Sequence, residues 1–393
     1  MTVARPSVWS IERLKGDFVQ DNRLAGDLKN DREQPVDSPY RQLAARLNEL
    51  PNGFPPAADG AELRLLAKLF TFEEAALAGQ LRLTLETPSE IAIRIGGDPQ
   101  KLRLQLKHMV QCGLIAAGRA PTGGLGYGLL PFVVGIYEMQ AGRIDAELAQ
   151  LFEDYYRQTY RQSLQQQPPA HRILPINESV RQDLAVHPFE SAAEIIRGAK
   201  AWGVTDCICR KQQALLGQAC EHPLDVCMVF SETPRAFDQK QGVRALSQTE
   251  ALATLQRAAE AGLVHSVSNN QRGLWYLCSC CTCACGFLRG LADLGMVNVI
   301  ARSAFVCQVD EEKCIGCSDC VDRCSFGALV VDITAQVDAL RCAGCGVCVP
   351  ACPENALSLI RRPEDEIKAP PETEDDWRQI RAAARGVNLE KVR

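Results

Sequence analysis

Residues 314–331 read CIGCSDCVDRCSFGALVV, and 28 positions later residues 342–359 read CAGCGVCVPACPENALSL. The four cysteines of each copy, the glycine before the second cysteine and the closing Ala-Leu coincide between the two. Both copies have the spacing C-x2-C-x2-C-x3-C. The chain holds 19 cysteines in 393 residues, and all but Cys112 lie between Cys207 and Cys352. The first residues, MTVARPSVWSIERLKGDFVQDNR, carry charges throughout and contain no apolar core of a secretion signal, so a cytoplasmic protein is expected. Structural disulfides are rare in that compartment, and clustered cysteines there signal metal or redox chemistry.

The duplicated spacing, with Pro353 after the last cysteine, resembles the bacterial two-cluster ferredoxins. The physics suits it: three thiolates on a short loop wrap three iron corners of a [4Fe–4S] cube, and the fourth, carried on into a helix, points at the other cube. The resemblance implies that Cys314, Cys317, Cys320 and Cys352 hold one cluster, and that Cys342, Cys345, Cys348 and Cys324 hold the second. Gly316, Gly344 and Gly346 would let the loops fold tightly and turn N–H groups toward sulfide. Ser325 departs from the pattern, standing where a proline follows the fourth cysteine of the other copy. Proline is no ligand, so the departure touches local stiffness rather than binding. A zinc ribbon, with four ligands in two pairs, fits eight cysteines at this spacing poorly.

A second concentration lies upstream. CSCCTCAC, residues 278–285, holds Cys278, Cys280, Cys281, Cys283 and Cys285. Before it come Cys207 and Cys209 in CICRK, then Cys220 and Cys227. Alternation along an extended octet would send Cys278 and Cys280 to one face, and Cys281, Cys283 and Cys285 to the other. Nine cysteines suffice for two four-ligand sites with one left over. Arg210 and Lys211 stand beside them to offset thiolate charge. The combination ahead of a ferredoxin repeat resembles a set of prokaryotic ferredoxin-domain proteins over most of residues 200–360, and that resemblance implies no particular reaction. A third iron–sulfur cluster, a zinc site and a reactive dithiol all remain open here. Cys112 and Cys307 read as core residues. His222 and His265 read as capping or surface groups rather than ligands.

The N-terminal third is cysteine-poor. GAELRLLAKLFTFEEAALAGQL reads as helix by its periodic apolar residues. Thr87, Pro88 and Glu90 form a capping box with proline at the first helical position. Asp98 and Pro99 repeat the start signal for a helix whose Leu102, Leu106, Met109 and Val110 share a face. Two short strands around a glycine-rich tip follow. Helix, short helix, helix and β-hairpin in this order resemble a winged helix-turn-helix over about eighty residues. That likeness implies a DNA-facing helix with Lys101, Arg103, Lys107 and His108 outward. Against DNA, eight Lys and Arg meet six Asp and Glu across residues 61–132, a weak balance for a phosphate-binding surface.

The expected layout is multidomain α+β. A lead-in (1–40) precedes a winged-helix-like domain (41–135) and a helical connector (136–185). A mixed α/β Cys-rich middle domain (186–303) and a C-terminal dicluster ferredoxin-like domain (304–362) follow. An acidic tail with a short helix (363–393) is expected to drape over the surface. The apolar run GYGLLPFVVGIY (126–137) is too short and glycine-rich to span a bilayer. No G-x-G-x-x-G after a strand and no Walker pattern is present, so a nucleotide site has no support. The expected role is electron transfer through two [4Fe–4S] clusters and a further iron–sulfur or zinc centre, to a redox partner protein. The alternatives are a redox- or iron-sensing winged-helix regulator and an iron–sulfur reductase, an oxidoreductase with substrate near the octet.

Overall fold

The computed structural model describes residues 38–240, 242–294 and 298–393. The expected lead-in lies outside the described residues up to 37. The fold is mixed α and β in two compact units, one reaching to Ser163 and including Gly386–Arg393, the other Leu164–Arg385.

In the first unit, α1 (Pro39–Asn48) is followed by α2 (Ala61–Leu69) and α3 (Phe72–Ala78). The single helix expected across this stretch is broken at Phe70, because Thr71 and Glu74 close a capping box that starts a new helix. Next come α4 (Pro88–Ile95), α5 (Pro99–Gln111) and the antiparallel hairpin β1 (Ile115–Arg119) and β2 (Leu125–Leu129). The Thr87–Glu90 capping box forms, and Asp98 accepts from the Gln100 N–H at 2.8 Å. Leu106 and Met109 of α5 are buried, while Leu102 and Val110 are half-buried. Lys101 and Arg103 are exposed, whereas His108 turns back to within 3.6 Å of Glu74. Helix α6 (Ala146–Tyr155) runs on through a π-helical turn into α7 (Arg161–Ser163). Its Phe152 stacks on Tyr137 at 3.7 Å between ring centres, and Tyr155 donates to the Pro55 carbonyl at 2.9 Å. The terminal segment returns to this unit, where Leu83 N–H donates to Val392 at 2.7 Å.

The second unit is built on a six-stranded antiparallel sheet. Its strands are β3 (His171–Leu174), β4 (Ala201–Thr205), β5 (Cys227–Ser231), β6 (Arg244–Leu246), β7 (Val264–Ser268) and β8 (Tyr276–Cys280), in the order β3-β7-β8-β5-β4-β6. Helices α8 (Ala192–Gly198), α9 (Ile208–Leu215) and α10 (Gln248–Glu260) are interspersed. One sheet face, with Leu174, Val204, Met228, Phe230, Val267 and Leu277, packs on Ala192 and Ile196 of α8 and Ala251 of α10. Alternation then sends Cys227, Cys278 and Cys280 to the opposite face. After α11 (Gly286–Leu294), β9 (Phe305–Val309) pairs with β12 (Leu357–Arg361) around α12 (Asp319–Arg323) and the hairpin β10 (Leu329–Val331) and β11 (Ala335–Val337).

Segments expected as separate domains share this unit. The 136–185 connector is divided at Ser163, and its later part supplies β3 to the sheet. The regions 186–303 and 304–362 are joined by hydrogen bonds: Ser303 N–H donates to the Ala343 carbonyl at 3.1 Å, and Ser303 Oγ donates to the Gly344 carbonyl at 2.7 Å; Ile176 of the former connector also donates its N–H to the Cys345 carbonyl at 2.9 Å. The tail is docked rather than draped. Thr373 and Asp376 cap α13 (Glu374–Arg385), and buried Trp377 donates to Pro169 at 2.9 Å. Among the described residues no helix is long and apolar enough to cross a membrane.

Gly344, at φ +68°, is where the backbone leaves no choice: a Cβ there would stand 2.1 Å from the Phe305 carbonyl oxygen and 2.2 Å from Ser303 Oγ. Gly273 shares the left-handed conformation, at φ +73°, but faces open space. Gly273→Ala should cost about 1–2 kcal/mol from conformation alone. Gly344→Ala must displace backbone as well and should cost more than about 3 kcal/mol. Denaturant melts of the two variants check the contrast.

Candidate metal centres

None of the 19 cysteines is joined in a disulfide. Eighteen of them fall in the second unit, where they form three groups.

The duplicated repeat supplies the first. Cys314, Cys317, Cys320 and Cys352 line one partly open pocket, with Ile315, Val331 and Leu357 in its walls. Cys348, Cys324 and Cys342 all lie within electrostatic reach of Cys345. Burial pushes the Cys345 thiol well above its ordinary value and the Cys320 thiol up to about 11. Backbone donors oppose this and favour thiolate. Ala328 N–H donates to Cys324 Sγ and Ala356 N–H to Cys352 Sγ, both at 3.3 Å. The repeated Ala-Leu thus delivers the same donor to the fourth cysteine of each copy. Ala335 N–H reaches Cys314 Sγ at 3.3 Å. Helix α12 stops at Arg323, so Cys320 is the helical cysteine and Cys324 follows the helix end. Buried Arg362 holds the second loop, donating to the Cys342 carbonyl at 2.5 Å. Cys307, read as a core residue, is buried, and its Sγ lies 3.8 Å from that of Cys348. Cys112 is buried at the end of α5, 3.6 Å from His108.

Six of the upstream cysteines close into a ring. Cys207 contacts Cys209 and Cys227, Cys227 contacts Cys278, Cys278 contacts Cys280, Cys280 contacts Cys285, and Cys285 returns to Cys209. Three of these thiols come from the free sheet face, on β5 and β8. Cys207 and Cys209 come from the start of α9, and Cys285 from the residue before α11. The ring is electrically directed. Cys207, at the N-cap of α9, is held well below the ordinary thiol value by the hydrogen bonds from Cys209 and Cys227, with Arg210 assisting. Cys209 and Cys227 are raised by donating to it, Cys278 by donating to Cys227, and Cys280 by donating to Cys278. The contact with Cys209 pulls Cys285 down, but Cys280 and burial keep its thiol well above the ordinary value. Six sulfurs around one space are too many for a single tetrahedral ion and suit a polynuclear centre.

The remaining three, Cys220, Cys281 and Cys283, gather with His222, their four ligand atoms all within 4.8 Å of one another. Cys281 is buried among Val226, Ala258, Leu263 and Ala284, while Cys283 is exposed. Burial pushes the Cys281 thiol up to about 12 against the pull of Arg210. The His222 pKa is lowered by burial and then by Arg210 and Arg323. Arg210 links this group to the ring. Its Nη1 donates to the Ser279 carbonyl at 3.1 Å and reaches Cys281 Sγ at 3.7 Å. Burial works against its charge, yet Cys207, Cys227 and Cys281 hold its pKa above the ordinary value. Lys211 pairs instead with Asp206 at 2.8 Å.

The octet therefore does not divide as simple alternation requires. Strand β8 ends at Cys280, so Cys281 and Cys283 sit on a turn and Cys285 comes back to the side of Cys278 and Cys280. His222, set aside as a cap or surface group, joins the smaller cluster; the closeness of Cys220 and His222 was the signal for it. His265 is neither cap nor surface. It is buried on β7, with Nδ1 3.3 Å from Ser279 Oγ and no cysteine partner.

No curated protein and no solved structure matches the chain. A family model described as a 4Fe-4S binding domain matches residues 335–358, which contain Cys342, Cys345, Cys348 and Cys352. This part of the chain is an iron–sulfur domain of ferredoxin type, and the protein carries at least one 4Fe-4S site.

Proposed function

We propose that the protein is an electron carrier. Two [4Fe–4S] clusters in the repeat exchange single electrons with a partner protein and with a polynuclear iron–sulfur centre held by the six-cysteine ring. In this reading Cys314, Cys317, Cys320 and Cys352 hold one cluster, and Cys342, Cys345, Cys348 and Cys324 the other. The observation that carries it is the continuity of sulfur through the unit. Cys320 feels the charge of Cys348 across the two halves of the repeat. A Cβ on Gly262 would meet Arg323 and Val347 of the repeat, and the next residue, Leu263, packs on Cys281. Cys281 is bonded to Cys280, a member of the ring.

The outer end of this line suits a protein partner. Cys317 is exposed, and Ile315, Val330 and Ile333 leave 64%, 61% and 84% of their surface in water. An apolar rim around a charged centre favours docking by desolvation. Each cluster would supply reversible one-electron chemistry. The chain's own residues supply the thiolates, the N–H donors at Ala328, Ala335 and Ala356, and the cation Arg210. Burial of the ring keeps water from it.

The segment α4–α5–β1–β2 is proposed as a winged-helix-like protein-contact module rather than a DNA reader. Only Lys101 and Arg103 of the four outward candidates are free of the half-buried or paired condition of Lys107 and His108, and Leu104 on the same helix is 71% exposed.

Protein purified without oxygen should contain at least about eight irons and eight acid-labile sulfides from the repeat. Cys317→Ser and Cys345→Ser should each remove one cluster. Iron beyond that amount should disappear in Cys278→Ser/Cys285→Ser. Unchanged iron in that double variant would make the ring a thiol centre instead. In gel shifts, duplex DNA should show no salt-sensitive binding, and Arg103→Ala/Lys107→Ala should keep full cluster content. Tight binding that falls steeply with salt and is lost in this variant would favour the regulator.

A further inference from the structure

We infer that Cys220, His222, Cys281 and Cys283 form a closed mononuclear site for one zinc ion, separate from every iron–sulfur centre. It fastens the loop after α9 to the turn that ends the cysteine octet. This assignment is independent of the electron-transfer reading, because it is read by zinc and not by iron.

The spacing of the ligand atoms decides between one ion and a cluster. Four ligands about 2.0–2.3 Å from one tetrahedral ion stand about 3.5–3.8 Å apart. The upper bound of 4.8 Å here is close to that. Thiolates at the corners of a cube point outward from four separate irons and must stand farther apart. Three cysteines and one histidine also form a common structural zinc set, with no position left for water or substrate.

Unsatisfied polar atoms point the same way. His222 Nδ1 is buried and finds no hydrogen-bond partner among the described residues. An imidazole nitrogen in that state costs free energy unless something binds it, and ligation would satisfy it. Arg210, almost fully buried, leaves Nε and Nη2 without hydrogen-bond partners among the described residues while Nη1 reaches Cys281. Zinc with three thiolates and a neutral imidazole carries one net negative charge. One buried guanidinium against a ligand sulfur balances it.

The site also has a task. Residues 218–226 contain no helix or strand, yet they bring Cys227 into β5 and so into the ring. Binding Cys220 and His222 to Cys281 and Cys283 would pin this loop beside Leu263, where the sheet meets the repeat. The ion would then set the position of the ring relative to the ferredoxin clusters without carrying electrons.

The experiment uses the full chain purified without oxygen. Zinc, iron and sulfide are measured together in wild type, His222→Ala, Cys283→Ser and His222→Cys. The inference expects about one zinc per chain in wild type. The first two variants should fall at least about tenfold in zinc affinity, with iron and sulfide unchanged. His222→Cys should retain the metal. Protein loaded with Co²⁺ in place of zinc should show tetrahedral d–d bands that move to lower energy when His222→Cys exchanges nitrogen for sulfur. Absence of zinc from wild type overturns the inference. Loss of iron and sulfide instead of zinc in His222→Ala or Cys283→Ser overturns it as well, since the four residues would then serve a cluster. Cobalt bands indifferent to His222→Cys would remove histidine from the site.

Discussion

Thiolate sulfur is stable in a protein interior only where positive charge or hydrogen-bond donors face it, and this requirement organises the whole of Leu164–Arg385. Each sulfur group has its own answer. In the repeat, backbone N–H groups of Ala328, Ala335 and Ala356 point at Cys324, Cys314 and Cys352. In the ring, hydrogen bonds from Cys209 and Cys227, with Arg210 assisting, favour negative charge on Cys207. Metal binding would replace those protons with cations, so loading the ring releases protons and is coupled to pH.

Arg210 links the two upstream groups because a single guanidinium serves both. It is anchored by Ser279, between ring members Cys278 and Cys280, and it touches Cys281 on the other side of the strand end. A lysine would place one point charge where Arg210 spreads a planar fork of donors. The arrangement makes the octet a boundary. One strand end, at Cys280, separates the sulfurs of the six-cysteine ring from Cys281 and Cys283, which gather with Cys220 and His222.

The glycine at 344 and the arginine at 362 perform the matching task in the repeat. The loop of Cys342, Cys345 and Cys348 lies against β9 so closely that a side chain at 344 would overlap the Phe305 carbonyl. Arg362 then ties the Cys342 carbonyl to the end of β12. A metal-binding loop preorganised in this way spends little of its binding free energy on ordering backbone.

Local spacing along the chain was enough to reveal the repeat, its two sets of four cysteines, the Thr87 capping box and a short helix in the tail. In each case the interacting groups are within a few residues of one another, so the chain's own geometry brings them together. Break points such as Thr71, which divides α2 from α3, were legible too, but periodic leucines masked them. The partition of the nine upstream cysteines was not legible. It depends on β5 lying beside β8 in the sheet, on β8 ending at Cys280, and on α9 starting where Cys207 meets Cys227. Those pairings join residues far apart in the chain. A period-2 rule holds only while a strand lasts, and only the packed sheet decided that Cys285 would return to the ring while His222 took the place of a fourth sulfur beside Cys220, Cys281 and Cys283.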